Sequence, residues 1–326
     1  MLSIKDLTSF FTPVTGAPKG VKYIPVERML EAMARRDAFN AHAADADNIW
    51  TPTQAQLDAS ATGSFSMLEF VKKILNQGQL GSCTAYGWAG AVALKYAMKT
   101  GVAVFLATLY IYFYERFLNG TVNDDSGADV KDGANVLSTR GAPLESSYPY
   151  NDDGVAFKNT PPVALDAEAA KYKVVKPLQV SPQVPHLKAA LKAGMPIIFG
   201  FMVYDSFESS STASTGVVTM PTPDEQMLGG HCVFAIGYTD SAGTAKFFKT
   251  SDAVKHQLMR AVGSVTNTFR AVAGLEPLAL TPPADCLIGV NSWGKGWGDK
   301  GVFYMPWTFV QKYAMDYYVF EDVTTA

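Results

Sequence analysis

Cysteine and histidine are scarce in this chain of 326 residues: three cysteines, at positions 83, 232 and 286, and four histidines. An odd, small set of thiols is not a disulfide framework, so a packed core has to hold the fold. A secretory leader is not expected either, because Met1-Leu2-Ser3-Ile4-Lys5-Asp6 leads into polar sequence. No apolar run approaches the ~18 residues that a membrane-spanning helix needs. Free thiols without a leader predict a reducing, cytoplasmic or otherwise intracellular setting, with no membrane as partner. Charge is sparse as well. Asp, Glu, Lys and Arg make up 17% of the residues, the net charge is -3, and no long run of one sign occurs. That argues against nucleic acid as the main partner. Internal repeats and low-complexity tracts are absent, and no metal or other cofactor is expected.

What is present is apolar sequence, 48% of the chain, enough to fill a sizeable core. Residues 1 to about 55 read as an N-terminal extension. In it Val21-Lys22-Tyr23-Ile24-Pro25 looks extended, and Val26 to Ala44 looks helical, with Met29, Leu30, Met33 and Phe39 as its apolar stripe. The residues leave open whether this is a structural arm or an inhibitory prosegment. Residues 56–326 then read as one larger domain with a helix-rich part at about 60–160. Ser82 is a candidate N-cap for a helix over Cys83 to Thr100, stopped by Gly101. A second helix is predicted over Val104 to Leu118, with Phe105, Leu109, Tyr112 and Phe113 on one face, and a third over Gly133 to Arg140. Beyond Tyr148-Pro149-Tyr150 the pattern turns to short strands: Tyr172–Val175, Pro196–Phe201, His231–Ile236, Cys286–Val290 and Gly301–Met305. Helices first and strands second, the latter at about 165–320, predict an α+β architecture of two lobes. Residues 242–284 interrupt the strand region as an insertion whose middle, Ala253 to Ala273, looks helical.

Three phrases carry chemistry. The first is Asn76-Gln77-Gly78-Gln79-Leu80-Gly81-Ser82-Cys83. The second, about 150 residues later, is Gly229-Gly230-His231, opening an apolar run. The third is Val290-Asn291-Ser292-Trp293-Gly294-Lys295-Gly296-Trp297-Gly298. A thiol at the first turn of a helix gains thiolate character from the positive helix end. An imidazole beside it completes the ion pair and then supplies a proton to the leaving amine. The candidates are Cys83 and His231. Asn291 would hold the far ring nitrogen of His231 and fix its tautomer, and Trp293 would shield that bond from water. Acyl transfer also needs donors for an oxyanion, here the backbone N–H of Cys83 and the side-chain amide of Gln77.

Gln77 through Cys83, Gly230-His231 and Asn291-Ser292-Trp293-Gly294 resemble the papain family of cysteine peptidases. So do Tyr148-Pro149-Tyr150, Gly194-Met195-Pro196 and Gly296-Trp297-Gly298, and the resemblance runs from about residue 60 to 320. It implies a two-lobe fold, one lobe helical and one β-barrel-like, with the active site in the cleft between them. It implies peptide or protein substrates and a covalent acyl-enzyme. The family pattern is departed from at Leu80, where secreted members usually have a cysteine that makes a disulfide, at Thr84, where Trp or Tyr usually follows the nucleophile, and at Gly230, where plant enzymes often have Asp. These departures point to the disulfide-poor microbial or viral branch. Cys232, with glycines such as Gly200 and Gly229 nearby, is a candidate for lining a roomy, apolar pocket for the residue second from the scissile bond. An endopeptidase is the leading reading. An amidase, aminopeptidase or transpeptidase would use the same site, and a non-catalytic binding scaffold is the rival of another class.

Overall fold

The computed structural model describes residues 20–42, 48–239 and 285–325. The insertion expected at 242–284, with its helix at 253–273, and the first nineteen residues lie outside these. The helices are α1 (Val26–His42), α2 (Gln54–Ser60), α3 (Cys83–Thr100), α4 (Thr108–Leu118), α5 (Val130–Thr139), α6 (Asp166–Ala169), α7 (Val184–Lys192), α8 (Ser210–Thr215) and α9 (Trp307–Tyr313). The strands are β1 (Ile49–Trp50), β2 (Phe65–Ser66), β3 (Val174–Val180), β4 (Ile197–Tyr204), β5 (Met227–Thr239), β6 (Cys286–Val290), β7 (Val302–Pro306) and β8 (Ala314–Val323). The α+β organisation is as expected, with α3, α4 and α5 preceding the sheet-forming half. The sheet runs in the order β1-β3-β8-β4-β5-β6-β7, with β2 added to β5. It is an open sheet rather than the barrel-like closure expected, for no pairing joins β1 to β7 among the described residues.

Helix α3 begins and ends where its sequence says. Gly101 closes it in the left-handed conformation with its N–H on Ala97 O. The second helix starts later than expected, at Thr108 rather than Val104. Leu106 is drawn into a bridge with Leu144, and the Ala107 N–H donates to Pro143 O, so these residues are extended. Helix α5 starts three residues earlier than expected, because Asp129 and Asp132 form a capping box around its first turn. In α1, Met29 and Ala32 are buried, but Leu30 is 52% exposed and does not belong to the apolar stripe. The side chain of Phe39 lies outside the described residues.

Strand β8 has no counterpart in the sequence reading. Its run, Ala-Met-Asp-Tyr-Tyr-Val-Phe-Glu-Asp-Val, is broken by acidic residues, and Asp316 adopts a positive φ of 53°. It nevertheless pairs with both β3 and β4 in the middle of the sheet. Strands β4, β5 and β6 are buried along almost their whole length.

Helix α3 packs on β5 through two glycines. A Cβ at Gly87 would stand 3.0 Å from Cys232 Sγ and 3.4 Å from Val233 O, and one at Gly90 would stand 2.3 Å from the Phe234 ring. Their missing side chains let the helix carrying Cys83 lie directly on the strand carrying His231. The Trp88 indole, fully buried, ties the same helix to α5 by donating to Val130 O at 2.8 Å. Gly87→Val should therefore destabilise the protein by about 1–3 kcal/mol, the usual range for forced overpacking, measured by urea denaturation. An unchanged midpoint would show that the helix and strand do not need this close approach.

Candidate active site

Cys83 is the first residue of α3 and is fully buried. Ser82 holds the N-cap position but does not cap. Its backbone is at φ -90°, ψ 20°, and its Oγ lies 2.9 Å from Tyr150 Oη instead. The first-turn amides are thus not engaged by a Ser82 side-chain bond, which suits a site where an anion is to be held. Thr84 turns inward, its Oγ1 donating to Glu115 Oε2 at 2.8 Å. A carboxyl partner under the helix explains why a small hydroxyl residue stands where an aromatic one was expected.

The other two phrases converge on the same place. His231 sits on β5, and its Nε2 lies 2.8 Å from Asn291 Oδ1. Its Nδ1 is buried, with no hydrogen-bond partner among the described residues. Trp293 lies over the pair, with ring centroids of His231 and Trp293 4.9 Å apart, and Trp297 and Phe207 pack behind Trp293. The backbone N–H of Cys232, the residue after His231, is directed at the Cys83 thiol. The loop of Gln77 is laced to that of Asn291. Gln77 N–H donates to Ser292 O at 2.9 Å, and Ser292 Oγ donates to Gln77 Oε1 at 2.5 Å. Gln77 is fully buried, and its Nε2 donates to Leu80 O at 3.0 Å. That bond uses one amide hydrogen and leaves the second for another acceptor.

A family model described as papain family cysteine protease matches residues 60–319. The chain belongs to the papain family of cysteine proteases. It is 30% identical over 261 residues to the uncharacterized peptidase C1-like protein L477 of Acanthamoeba polyphaga mimivirus, covering 77% of this chain and 70% of that one. It is 28% identical over 181 residues to cathepsin L of Sarcophaga peregrina, covering 53% of this chain and 49% of that one. Among solved structures it is similar to xylellain, a cysteine protease from Xylella fastidiosa, at a TM-score of 0.67 and 24% identity, covering 94% of this chain and 97% of that one. A procathepsin B from Trypanosoma congolense shares the fold at a TM-score of 0.57 and 16% identity, covering 85% of this chain and 82% of that one.

In this papain-family protein the N-terminal segment lies across the site. The Ile24 N–H donates to Gly230 O at 2.8 Å, and the Gly230 N–H donates to Ile24 O at 2.7 Å. The segment thereby pairs with the edge of β5 through one antiparallel bridge just before His231. Tyr23 stands edge-on to His231 at 6.4 Å and donates its hydroxyl to Glu208. Lys22 pairs with Asp125 at 2.8 Å, and Met29 packs against Gly230. Gly229 and Gly230 make room for this: a Cβ on Gly229 would come within 2.7 Å of Ile24 O and of Tyr23 Cβ. Of the three residues expected to line a pocket, Gly229 faces the segment, Cys232 points its Sγ at Gly87, and Gly200 faces Val130 and Met315. The sequence reading quoted Ser292 and Tyr150 only as members of motifs, without a role, and did not pick out Glu208 or Asp125. Their signals are single polar residues far apart in the chain, visible only once the lobes meet.

Covered in this way, the thiol and the imidazole are both neutral at pH 7. Burial pushes the Cys83 thiol up to about 12, against the pull of the Cys232 N–H and with a further push from Glu115. Burial holds His231 down to about 4, although the Asn291 bond favours its charged form. An unfolded chain takes up a proton at this histidine near pH 6.5, whereas the folded chain takes it up only at about 4. Stability is therefore lost as pH falls from about 6.5 to 4, by about 3 kcal/mol for this one group. His231→Gln should lose about that much less than the unaltered protein between pH 7 and pH 4 in urea titrations. Equal losses would mean that the histidine is not desolvated.

All three cysteines are buried and none is in a disulfide. Protein denatured without reductant should give three titratable thiols per chain, and a lower count would reveal a disulfide.

Proposed function

We propose that this chain is an endopeptidase in which Cys83 is the nucleophile, His231 the proton carrier and Asn291 the residue that orients the imidazole. The observation that carries the reading is the arrangement around His231: one ring nitrogen bonded to Asn291, the other buried and unpartnered, with Cys83 at a helix N-terminus against the same strand. The free nitrogen takes the thiol proton. The thiolate attacks the scissile carbonyl, and the carbonyl oxygen accepts from the Cys83 N–H and the spare Gln77 amide hydrogen. The imidazolium then protonates the leaving amine, and water releases the acyl group through the same nitrogen. Trp293 keeps the Asn291 bond dry.

The first ~55 residues act in this reading as an inhibitory prosegment. Tyr23 and Ile24 occupy the backbone edge of β5 that a peptide substrate would use, and by excluding water they keep the thiol and imidazole neutral. Displacing the segment admits water and lets the ion pair form. An exopeptidase or amidase would use the same atoms, and blocked and unblocked peptides separate these reactions.

In the full-length chain Ile24→Asp places a charge in the buried contact and should open the cleft. A thiol-directed epoxide should label Cys83 at least tenfold faster in this variant, and internally blocked peptides should be cut faster too. Cys83→Ala or His231→Ala in the Ile24→Asp background should abolish hydrolysis with the fold intact. Asn291→Ala should retain part of it, at a loss of about 10- to 100-fold for one hydrogen bond to a charged ring. Turnover that survives Cys83→Ala would overturn the assignment. Equal labelling with and without Ile24→Asp would show the segment to be structural.

A further inference from the structure

The loop from Gln77 to Ser82 carries the proposed oxyanion amide. It is clasped by the Tyr148-Pro149-Tyr150 motif and the residues that follow it. The Tyr150 hydroxyl donates to Gln77 O at 2.6 Å. Its one hydrogen is used there, so the Ser82 hydroxyl, 2.9 Å away, is the donor to Tyr150 Oη. One phenol thus bridges the two ends of the loop: the residue that holds the amide and the residue before the nucleophile. Between those ends, Asp152 Oδ2 accepts from the Gln79 N–H at 3.1 Å. Gly78, at a positive φ of 58°, lets that carboxylate come in, for a Cβ there would stand 1.9 Å from Asp152 Oδ2.

Tyr150 is itself held. Its N–H donates to Glu145 Oε1 at 2.8 Å, and the proline before it has a fixed φ. Its ring stands edge-on to that of Tyr86 on α3, with centroids 5.2 Å apart. A side chain locked at its backbone and its ring keeps what it touches in one place. Gln77 needs such holding. Its Nε2 must aim one hydrogen at a developing oxyanion while the other goes to Leu80 O. Its N–H and Oε1 are fixed by Ser292, and its carbonyl is fixed by Tyr150. Oxyanion donors act by being preorganised for charge that appears only in the transition state. A displaced amide is therefore felt in the chemical step, not in substrate binding and not in the reactivity of the thiol itself. Among the described residues, no hydrogen bond runs from Tyr150 to Cys83, His231 or Asn291.

We propose that Tyr150, with Asp152 beside it, is a positioning residue for the reaction: it holds the Gln77 loop closed so that the Gln77 amide meets the oxyanion, and it acts on catalysis only through that amide. The proposal deepens the endopeptidase reading and rests on it.

The test uses the full-length Ile24→Asp protein and two readouts. One is kcat and KM on a blocked fluorogenic peptide amide. The other is the rate at which iodoacetamide alkylates Cys83, a displacement at saturated carbon in which no oxyanion forms. Tyr150→Phe should lower kcat about tenfold, part of what the loss of a whole donor costs, with KM and the alkylation rate within about twofold. Asp152→Ala, at an exposed side chain, should lower kcat about two- to threefold with the same pattern, and so guards against a folding defect in the first variant. Gln77→Ala should cost about 100-fold in kcat, and Tyr150→Phe added to it less than about twofold more, because the two residues act as a unit. The positioning role would be overturned, with the hydrolase left standing, by a kcat unmoved in Tyr150→Phe, or in Asp152→Ala should the first variant not fold. Alkylation that falls in step with kcat, or a full tenfold loss that persists on Gln77→Ala, would overturn it equally. Failure of the Ile24→Asp protein to cut any peptide would overturn the endopeptidase reading and this proposal with it.

Discussion

The close seating of α3 on β5 governs everything else in the molecule. Neither element makes a site alone. The helix supplies a thiol at its positive end, and the strand supplies an imidazole at its edge. Gly87 and Gly90 remove the bulk that would hold the two apart. The fully buried Trp88 then fixes the helix from its other side. A helix-to-sheet spacing set by a backbone carbonyl, one sulfur atom and one aromatic ring is less forgiving than one set by flexible side chains. That suits a reaction whose geometry tolerates little displacement.

Polar lacing finishes what packing begins. The Gln77 and Asn291 loops exchange two bonds, through Ser292, so the Gln77 amide and the histidine's partner are positioned as one unit. Glu115 under Thr84 is a different case. It is fully buried, burial pushes its carboxyl up to about 8, and its Oε1 has no partner among the described residues. It stabilises the fold most when protonated, below the ordinary carboxylate pKa, and progressively less as pH rises through about 8. Its charge therefore changes near neutrality directly beneath the first turn of α3, where Thr84 holds it.

Much of this was readable in the chain. The phrase around Cys83, the His231 phrase and the Asn291 phrase each contain local chemistry, such as a helix start, paired glycines or a tryptophan beside an amide, that does not depend on distant partners. Helix α3 was legible to the residue because its stop glycine and apolar spacing agree. What was illegible depends on long-range geometry. Strand β8 hides behind Asp316, Glu321 and Asp322, whose charges are explained by Arg35, Lys176 and Lys99 from elsewhere in the chain. Ser82 holds the N-cap position read for it, but its hydroxyl meets Tyr150, 68 residues away, instead of the helix amides.

The segment over the cleft is joined to the rest of the chain beyond His42, and its helix is fastened at a second place, where Arg36 donates to the carbonyls of Gln311, Lys312 and Ala314. Such a tether converts binding into an intramolecular event, with an effective concentration in the millimolar range for a short connection. Occupancy of the cleft is then the same in a dilute solution as in a crowded one. A single cut in the connection changes the order of the equilibrium. The severed segment obeys a dissociation constant, leaves on dilution and returns on concentration, so that one peptide bond turns a fixed property of the chain into one set by its surroundings.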